Sequence, residues 1–248
     1  MRQQRQHLRP ALVILTTALM LWSCSSSTES QLSLVRLLLV DTTTGHTEVD
    51  TVAWRQHLEH YAAKGLDSRD VPVITRLVEA EEIGDEAIEV ILETYDSSIP
   101  VIAEIANEER SQAVAMNIII DVLGIDDPHP EVGRGAYLDQ DVSALWNTYI
   151  ADGTHSTDID ALVAVTKVFE FQLRRAIDAR PQVHSSAAKF AASLVFGMNA
   201  NHFRSMCRHL RDAGIPYSPT FLTQEEFDSE TSERNYLQFT DGLGAEYP

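Results

Sequence analysis

Cysteine is almost absent from this sequence: Cys24 and Cys207 are the only two in 248 residues. No closely spaced pair exists, which excludes a thiolate zinc site. Basic side chains are scarce as well, with 19 Lys and Arg against 37 Asp and Glu and a formal charge of −18. Nucleic-acid binding depends on cations that neutralise phosphates, so this balance excludes a nucleic-acid partner. The uncharged apolar run Ala11 to Trp22 is too short to span a bilayer, which takes about 20 residues. No nucleophile-elbow motif supports Ser/His/Asp hydrolysis, and no internal repeat or strand-rich block competes with a helical reading. What the chain has is apolar content, 44% of it, enough for a full core. Its acidity reads first as a solvated surface and second as a face that concentrates cations.

The N-terminus has the layout of an export leader. Arg2, Arg5 and Arg9 precede the apolar run, which ends in Leu21-Trp22-Ser23-Cys24. That ending resembles a bacterial lipobox, with Trp22 a departure at a slot usually small or aliphatic. The resemblance implies cleavage before Cys24, a diacylglycerol on its thiol and acylation of the new amine. Two or more acyl chains make a stable membrane anchor. Residues 1–23 are then a lipoprotein signal peptide. Residues 24–48 form a tether and N-terminal segment, with Ser25 to Ser27 at its start and an apolar stretch, Leu34 to Val40, that fits a strand or a short helix. With Cys24 used, Cys207 has no partner, and its neighbours Met206 and Leu210 mark it as a buried structural thiol.

Residues 49–68 predict an N-terminal helix. His57 and His60 stand three apart on it, a spacing that could hold a metal, but no third ligand accompanies them, which favours solvated histidines. A bundle of helices is expected over 70–228 and a polar tail over 229–248. Asp70 caps the first long helix with Pro72 in its first turn. A second helix starts near Pro100 and ends at Gly124. Residues Ile125 to Leu138, rich in Asp, Pro and Gly, form a long crossing loop. A short helix around Val142–Ala151 follows. Ser156 caps a helix running to about Arg180, and the last long helix spans Ser185 to Asp212. Phe221 and Phe227 are the aromatic anchors of the segment after it. The fold class is therefore all-α: four long helices with a long connection between the second and third, plus an extra short helix.

Several polar side chains interrupt the apolar stripes of these helices. Glu81 and Glu109 stand where Leu or Ile is expected, which points both carboxylates inward on a 3.6-residue period. Gln112 follows Glu109 by about one turn. His202 lies on the line Ala191, Val195, Met198, Met206, and Glu170 shares a side with Val163, Thr166, Leu173 and Ile177. Buried carboxylates are costly unless paired or bound to a cation, so Glu81, Glu109, Gln112, Glu170 and His202 are candidate ligands for a hard or borderline metal.

The order of Ile105-Ala-Asn-Glu-Glu109, Gly124-Ile-Asp-Asp-Pro128, Ala161-Leu162, Asn201-His-Phe-Arg204, Tyr217-Ser-Pro219 and Phe221-Leu222 resembles a bacterial ferritin-like domain of unknown function found in exported proteins. The resemblance covers Leu77 to about Glu225. It implies a ferritin-like four-helix bundle and a two-metal carboxylate site of glutamates and Glu-x-x-His pairs. The sequence departs from that pattern. Gln112 replaces the histidine after Glu109, and Gly84 falls near a usual glutamate, for which Glu81 or Glu82 must substitute. Phe169 takes the first of two acid positions and leaves Glu170. His202 has no glutamate in the turn before it. Two readings follow: an exported ferritin-like lipoprotein, non-catalytic or with a degenerate site, or a protein that binds iron, manganese or zinc through Glu81 or Glu82, Glu109, Gln112, Glu170 and His202.

Overall fold

Short hydroxyl and acidic side chains start most of the helices. The computed structural model describes residues 37–41, 46–95, 100–128, 133–151 and 155–232; the leader with Cys24, and residues 233–248, lie outside them. Seven α-helices occur among the described residues: α1 (Thr51–Ala62), α2 (Val71–Tyr95), α3 (Pro100–Leu123), α4 (Gln140–Tyr149), α5 (Asp158–Ala179), α6 (Ser186–Asp212) and α7 (Gln224–Glu230). Asp50, Asp139, Thr157, Ser185 and Thr223 each accept a first-turn N–H, which satisfies donors that no helical carbonyl can reach. The cap of α5 is Thr157 rather than Ser156, whose hydroxyl donates to Asp160 instead. Gly124, at φ +62°, ends α3 in the left-handed conformation that glycine adopts without strain.

Asp70 departs from expectation. Its backbone carbonyl accepts from Val73 and Ile74 at the start of α2. Its side chain serves another helix: the two oxygens accept from the N–H groups of His184 and Ser185, each at 2.8 Å. One residue thus starts α2 and fixes the approach to α6. The stretch before α1 resolves as a two-stranded antiparallel hairpin, β1 (Leu38–Val40) and β2 (Thr47–Val49), with Leu38 opposite Val49. The segment after α6 also holds the short α7, started by a capping box between Thr223 and Glu226.

The four long helices pack in a ring, α2 beside α3, α3 beside α6, α6 beside α5, and α5 beside α2. The crossing segment between α3 and α5 carries α4 and is pinned along an acidic stripe of α2. Arg134 pairs with Glu89 and Glu93, Glu86 accepts from the Gly135 N–H and the Tyr137 hydroxyl, and Glu79 accepts from the Asp139 N–H. The hairpin and α1 lie over α3 and α6. Trp54 is fully buried, stacks on Phe190 at 4.8 Å and donates its indole N–H to the Ala115 carbonyl at 3.2 Å. Burying Trp54 and Leu58 contributes about 2–3 kcal/mol each toward holding α1 in place. Among the described residues no helix is long and apolar enough to cross a membrane.

Candidate functional site

Inside the ring, three helices bring polar side chains to one place. Glu81 comes from α2, Glu108, Glu109 and Gln112 from α3, and Asn199 and His202 from α6; none is more than 5% exposed. Glu108 and Glu109 hold the imidazole from both sides. His202 Nε2 lies 2.9 Å from Glu108 Oε2, and Nδ1 lies 3.0 Å from Glu109 Oε1. The second contact is an ion pair without hydrogen-bond alignment, for neither atom finds a hydrogen-bond partner. The Gln112 amide nitrogen sits 2.9 Å from the same Nε2. With both ring protons in place the amide turns its oxygen to Nε2; with Nε2 bare it keeps the orientation found here, oxygen away from the ring. Asn199 donates to Glu81 Oε1 at 2.7 Å. Glu81 Oε2, Glu109 Oε1 and Gln112 Oε1 remain without a hydrogen bond.

A small cavity of about 10 Å³ opens between α2 and α3, lined by Glu81, Glu82, Asp85, Glu109, Gln112, Ala113 and Met116. Two of its carboxyls, Glu81 and Asp85, hold their protons unusually tightly. Burial pushes Glu81 up to about 8; the Asn199 hydrogen bond opposes that shift and the Glu109 charge adds to it. Burial also pushes Asp85 up to about 7, helped by the charges of Glu109, Glu82 and Glu89. Burial alone would lower His202, yet the Glu108 and Glu109 carboxylates outweigh it and raise the imidazole to about 10. The site is therefore a proton-rich cluster with one cationic ring among acids.

Of the residues singled out from sequence, Glu81, Glu109, Gln112 and His202 meet here, and Glu82 stands half-buried at the cavity mouth. Glu170 does not join them. Its Oε1 accepts from the N–H groups of Thr220, Phe221 and Leu222 at 2.7, 2.8 and 2.9 Å. Its Oε2 accepts from the Tyr217 hydroxyl at 2.6 Å and from Lys167 Nζ at 3.4 Å. Glu170 is a staple that ties the loop after α6 onto α5. Phe169 is fully buried with its ring centroid 5.1 Å from that of His202, so a hydrocarbon face fills the place where the resemblance puts an acid. Near Gly84 the space belongs to Gln172, whose amide donates to the carbonyls of Ala80 and Glu81. A Cβ at Gly84 would come within 2.5 Å of that amide nitrogen.

These arrangements test the two-metal centre that the resemblance implies, and the residues do not fit it. Both nitrogens of His202 face carboxylates, Gln112 replaces the second imidazole, and Glu170 is spent on the loop. Among the described residues no group of three or more His, Cys, Asp or Glu side chains is gathered to hold a metal ion. On α1, His57 packs against Phe190 and His60 is exposed, so that pair stays apart from the cluster. Cys207 is buried, and burial pushes its thiol up, away from reactivity,.

Sequence reasoning missed Glu108, Asn199, Asp85 and His46. Glu108 reaches His202 on one side and His46 Nδ1, at 2.6 Å, on the other, and accepts from the Thr47 N–H at 2.8 Å. The signal was the doubled acid Glu108-Glu109, two neighbours about 100° apart on a helix. Reading it required knowing that the hairpin lies on that side.

Residues 74–233 match the profile of a family described as an uncharacterised protein domain, DUF2202. The chain belongs to the DUF2202 family. A curated relative is an uncharacterised protein of Methanocaldococcus jannaschii, MJ0754, 22% identical over 162 residues, which are 64% of this chain and 87% of the relative. The crystal structure of hypothetical protein MJ0754 superimposes with a TM-score of 0.60 at 17% identity, covering 68% of this chain and 94% of that one. At that identity the likeness speaks to the fold alone. The hairpin and α1 precede the DUF2202 match, so the clamp of His46 and Thr47 on Glu108 is supplied from outside the matched region.

Proposed function

We propose that this DUF2202 protein is an exported, lipid-anchored component of the cell envelope, with a ferritin-like bundle that has lost two-metal redox chemistry and acts without catalysis, as a scaffold or binding body. The observation that carries the reading is His202: each ring nitrogen lies against a glutamate, at 2.9 and 3.0 Å, and neither is left to ligate a redox metal. The four long helices, with the crossing segment between α3 and α5, support ferritin-like connectivity. The three arginines, apolar run and Leu21-Trp22-Ser23-Cys24 support export and acylation at Cys24.

Metal analysis of the purified protein lacking residues 1–24 tests the core of this reading. The expected result is no stoichiometric iron, manganese or zinc. Two such ions per chain, lost in both Glu109→Ala and His202→Ala, would overturn it in favour of the metal protein. For the anchor, the mature N-terminal peptide is expected to carry two or more acyl chains on Cys24. A Cys24→Ser chain that still pellets with membranes would contradict anchoring there.

A further inference from the structure

Away from the buried cluster, a groove of about 480 Å³ runs between α4, α5 and the loop after α6. One side of α4 lines it with Ala144, Leu145 and Tyr149, α5 adds Phe171, and the loop adds Phe221. Phe171 and Phe221 meet edge to face at 5.3 Å and give the groove a hydrocarbon floor. Its size falls in the range of small-molecule sites, which pair an apolar lining with a few placed polar groups. A second recess of about 200 Å³, between α2 and α5, shares Arg175 and Asp178 with the groove and adds Arg76. The Arg175 guanidinium stands at the junction, over the Phe171 ring at 4.9 Å, where a cation is attracted to the ring face.

The polar groups at this junction are unequally spent. Asp178 gives both oxygens to Arg174. Arg175 meets Asp139 and Asp141 through Nη2 alone, so among the described residues its Nε and Nη1 make no hydrogen bond. Arg76 is exposed and forms no ion pair among the described residues. Two guanidiniums, Arg76 and Arg175, against the single carboxylate of Asp178 leave the recess one positive charge, although the chain as a whole carries −18. A positive recess beside an aromatic floor is complementary to a ligand with one anionic end and one apolar end.

We propose that the groove and recess together bind a free amphipathic carboxylate of the fatty-acid class. Its carboxylate sits beside Arg76 and the unspent N–H groups of Arg175, and its hydrocarbon chain lies on Leu145, Tyr149, Phe171 and Phe221. A single negative charge matches the single positive charge of the recess. Asp178 within it, and Asp139 and Asp141 on the far side of Arg175, would repel a doubly charged phosphate. This inference rests on the reading of the bundle as a binding body without catalysis, and it names what is bound, at a place apart from His202.

The test is calorimetric titration of octanoate into the protein lacking residues 1–24, which keeps every described element. The expected result is one octanoate per chain, with acetate and octanol each at least tenfold weaker. Arg76→Gln should weaken octanoate at least tenfold and leave octanol unaltered. Ala144→Trp, a change at an exposed position on the groove, should weaken both. Arg55→Gln on α1 should change neither. Octanoate should also raise the melting temperature of the wild type, and melting curves show that the variants are folded. No saturable binding, binding indifferent to Arg76→Gln and Ala144→Trp, or octanol held as tightly as octanoate overturns the proposal. So does sedimentation with phosphatidylglycerol vesicles that is lost in Arg76→Gln while free octanoate fails to bind, which would assign the face to a lipid surface. None of these results alters the metal content, so the non-redox reading stands or falls separately.

Discussion

Glu170 and Glu81 are both buried glutamates facing inward from long helices, yet their surroundings are opposite. Glu170 receives five hydrogen bonds, three from consecutive backbone N–H groups of the loop after α6. Glu81 receives one from Asn199 and keeps an oxygen unpartnered. Burial of a carboxylate therefore says little about its role, and the supply of donors says much. A saturated carboxylate organises structure, whereas an undersupplied one keeps capacity for a proton.

The strongest way to break this contrast is Glu170→Ala. Three backbone N–H groups, that of Leu222 buried and those of Thr220 and Phe221 partly so, and Tyr217 would lose their acceptor, and the expected cost is about 4 kcal/mol, read as a lower urea midpoint. A loss under about 1 kcal/mol would mean the loop is held by other contacts. Next comes His202→Ala, which strips Glu108 and Glu109 of their shared counter-charge; about 3 kcal/mol should be lost at pH 6.

Acid dependence sharpens the comparison further. Glu81 sits at about 8 in the fold against an ordinary 4.5, Asp85 at about 7 against 3.8, and His202 at about 10 against 6.5. In each case the folded chain keeps a proton that the unfolded chain has released. Stability from these groups is thus complete at the acid end and drains as pH rises, across 4.5 to 8 for Glu81, 3.8 to 7 for Asp85 and 6.5 to 10 for His202,. In the presence of a chelator, melting temperature should be highest near pH 5 and fall toward pH 9; a rising profile contradicts the cluster as described. Glu81→Gln should flatten this profile, recovering clearly more stability at pH 8 than at pH 5,. The smallest effect belongs to Arg134→Ala, whose partners Glu89 and Glu93 are exposed; calorimetry should find a change of about 0.5 kcal/mol or less.

Much of the helical layout was legible in the sequence. Pro100 begins α3, Gly124 ends it, and Ser185 caps α6 where local chemistry predicts. The apolar stripes turned Glu81, Glu109, Gln112 and His202 inward, since a 3.6-residue period fixes which face a side chain shares with its neighbours. The hairpin was legible only in part: Leu34 to Val40 fits a strand or a short helix, and three-residue strands leave too little alternation to decide between them or to show the second strand,. The seven-residue α7 was hidden within a polar segment.

What the sequence determined alone was local: where helices start and stop, and which side of each is apolar. Tertiary structure decided the partners. Asp70 reaches a helix more than a hundred residues away, and Glu170 meets a loop some fifty residues on. Glu108 is shared between a hairpin histidine and one from α6. Helical periodicity sets a side chain's direction, but its partner is whatever the packing of other elements brings opposite. That depends on crossings and connections which no single helix encodes.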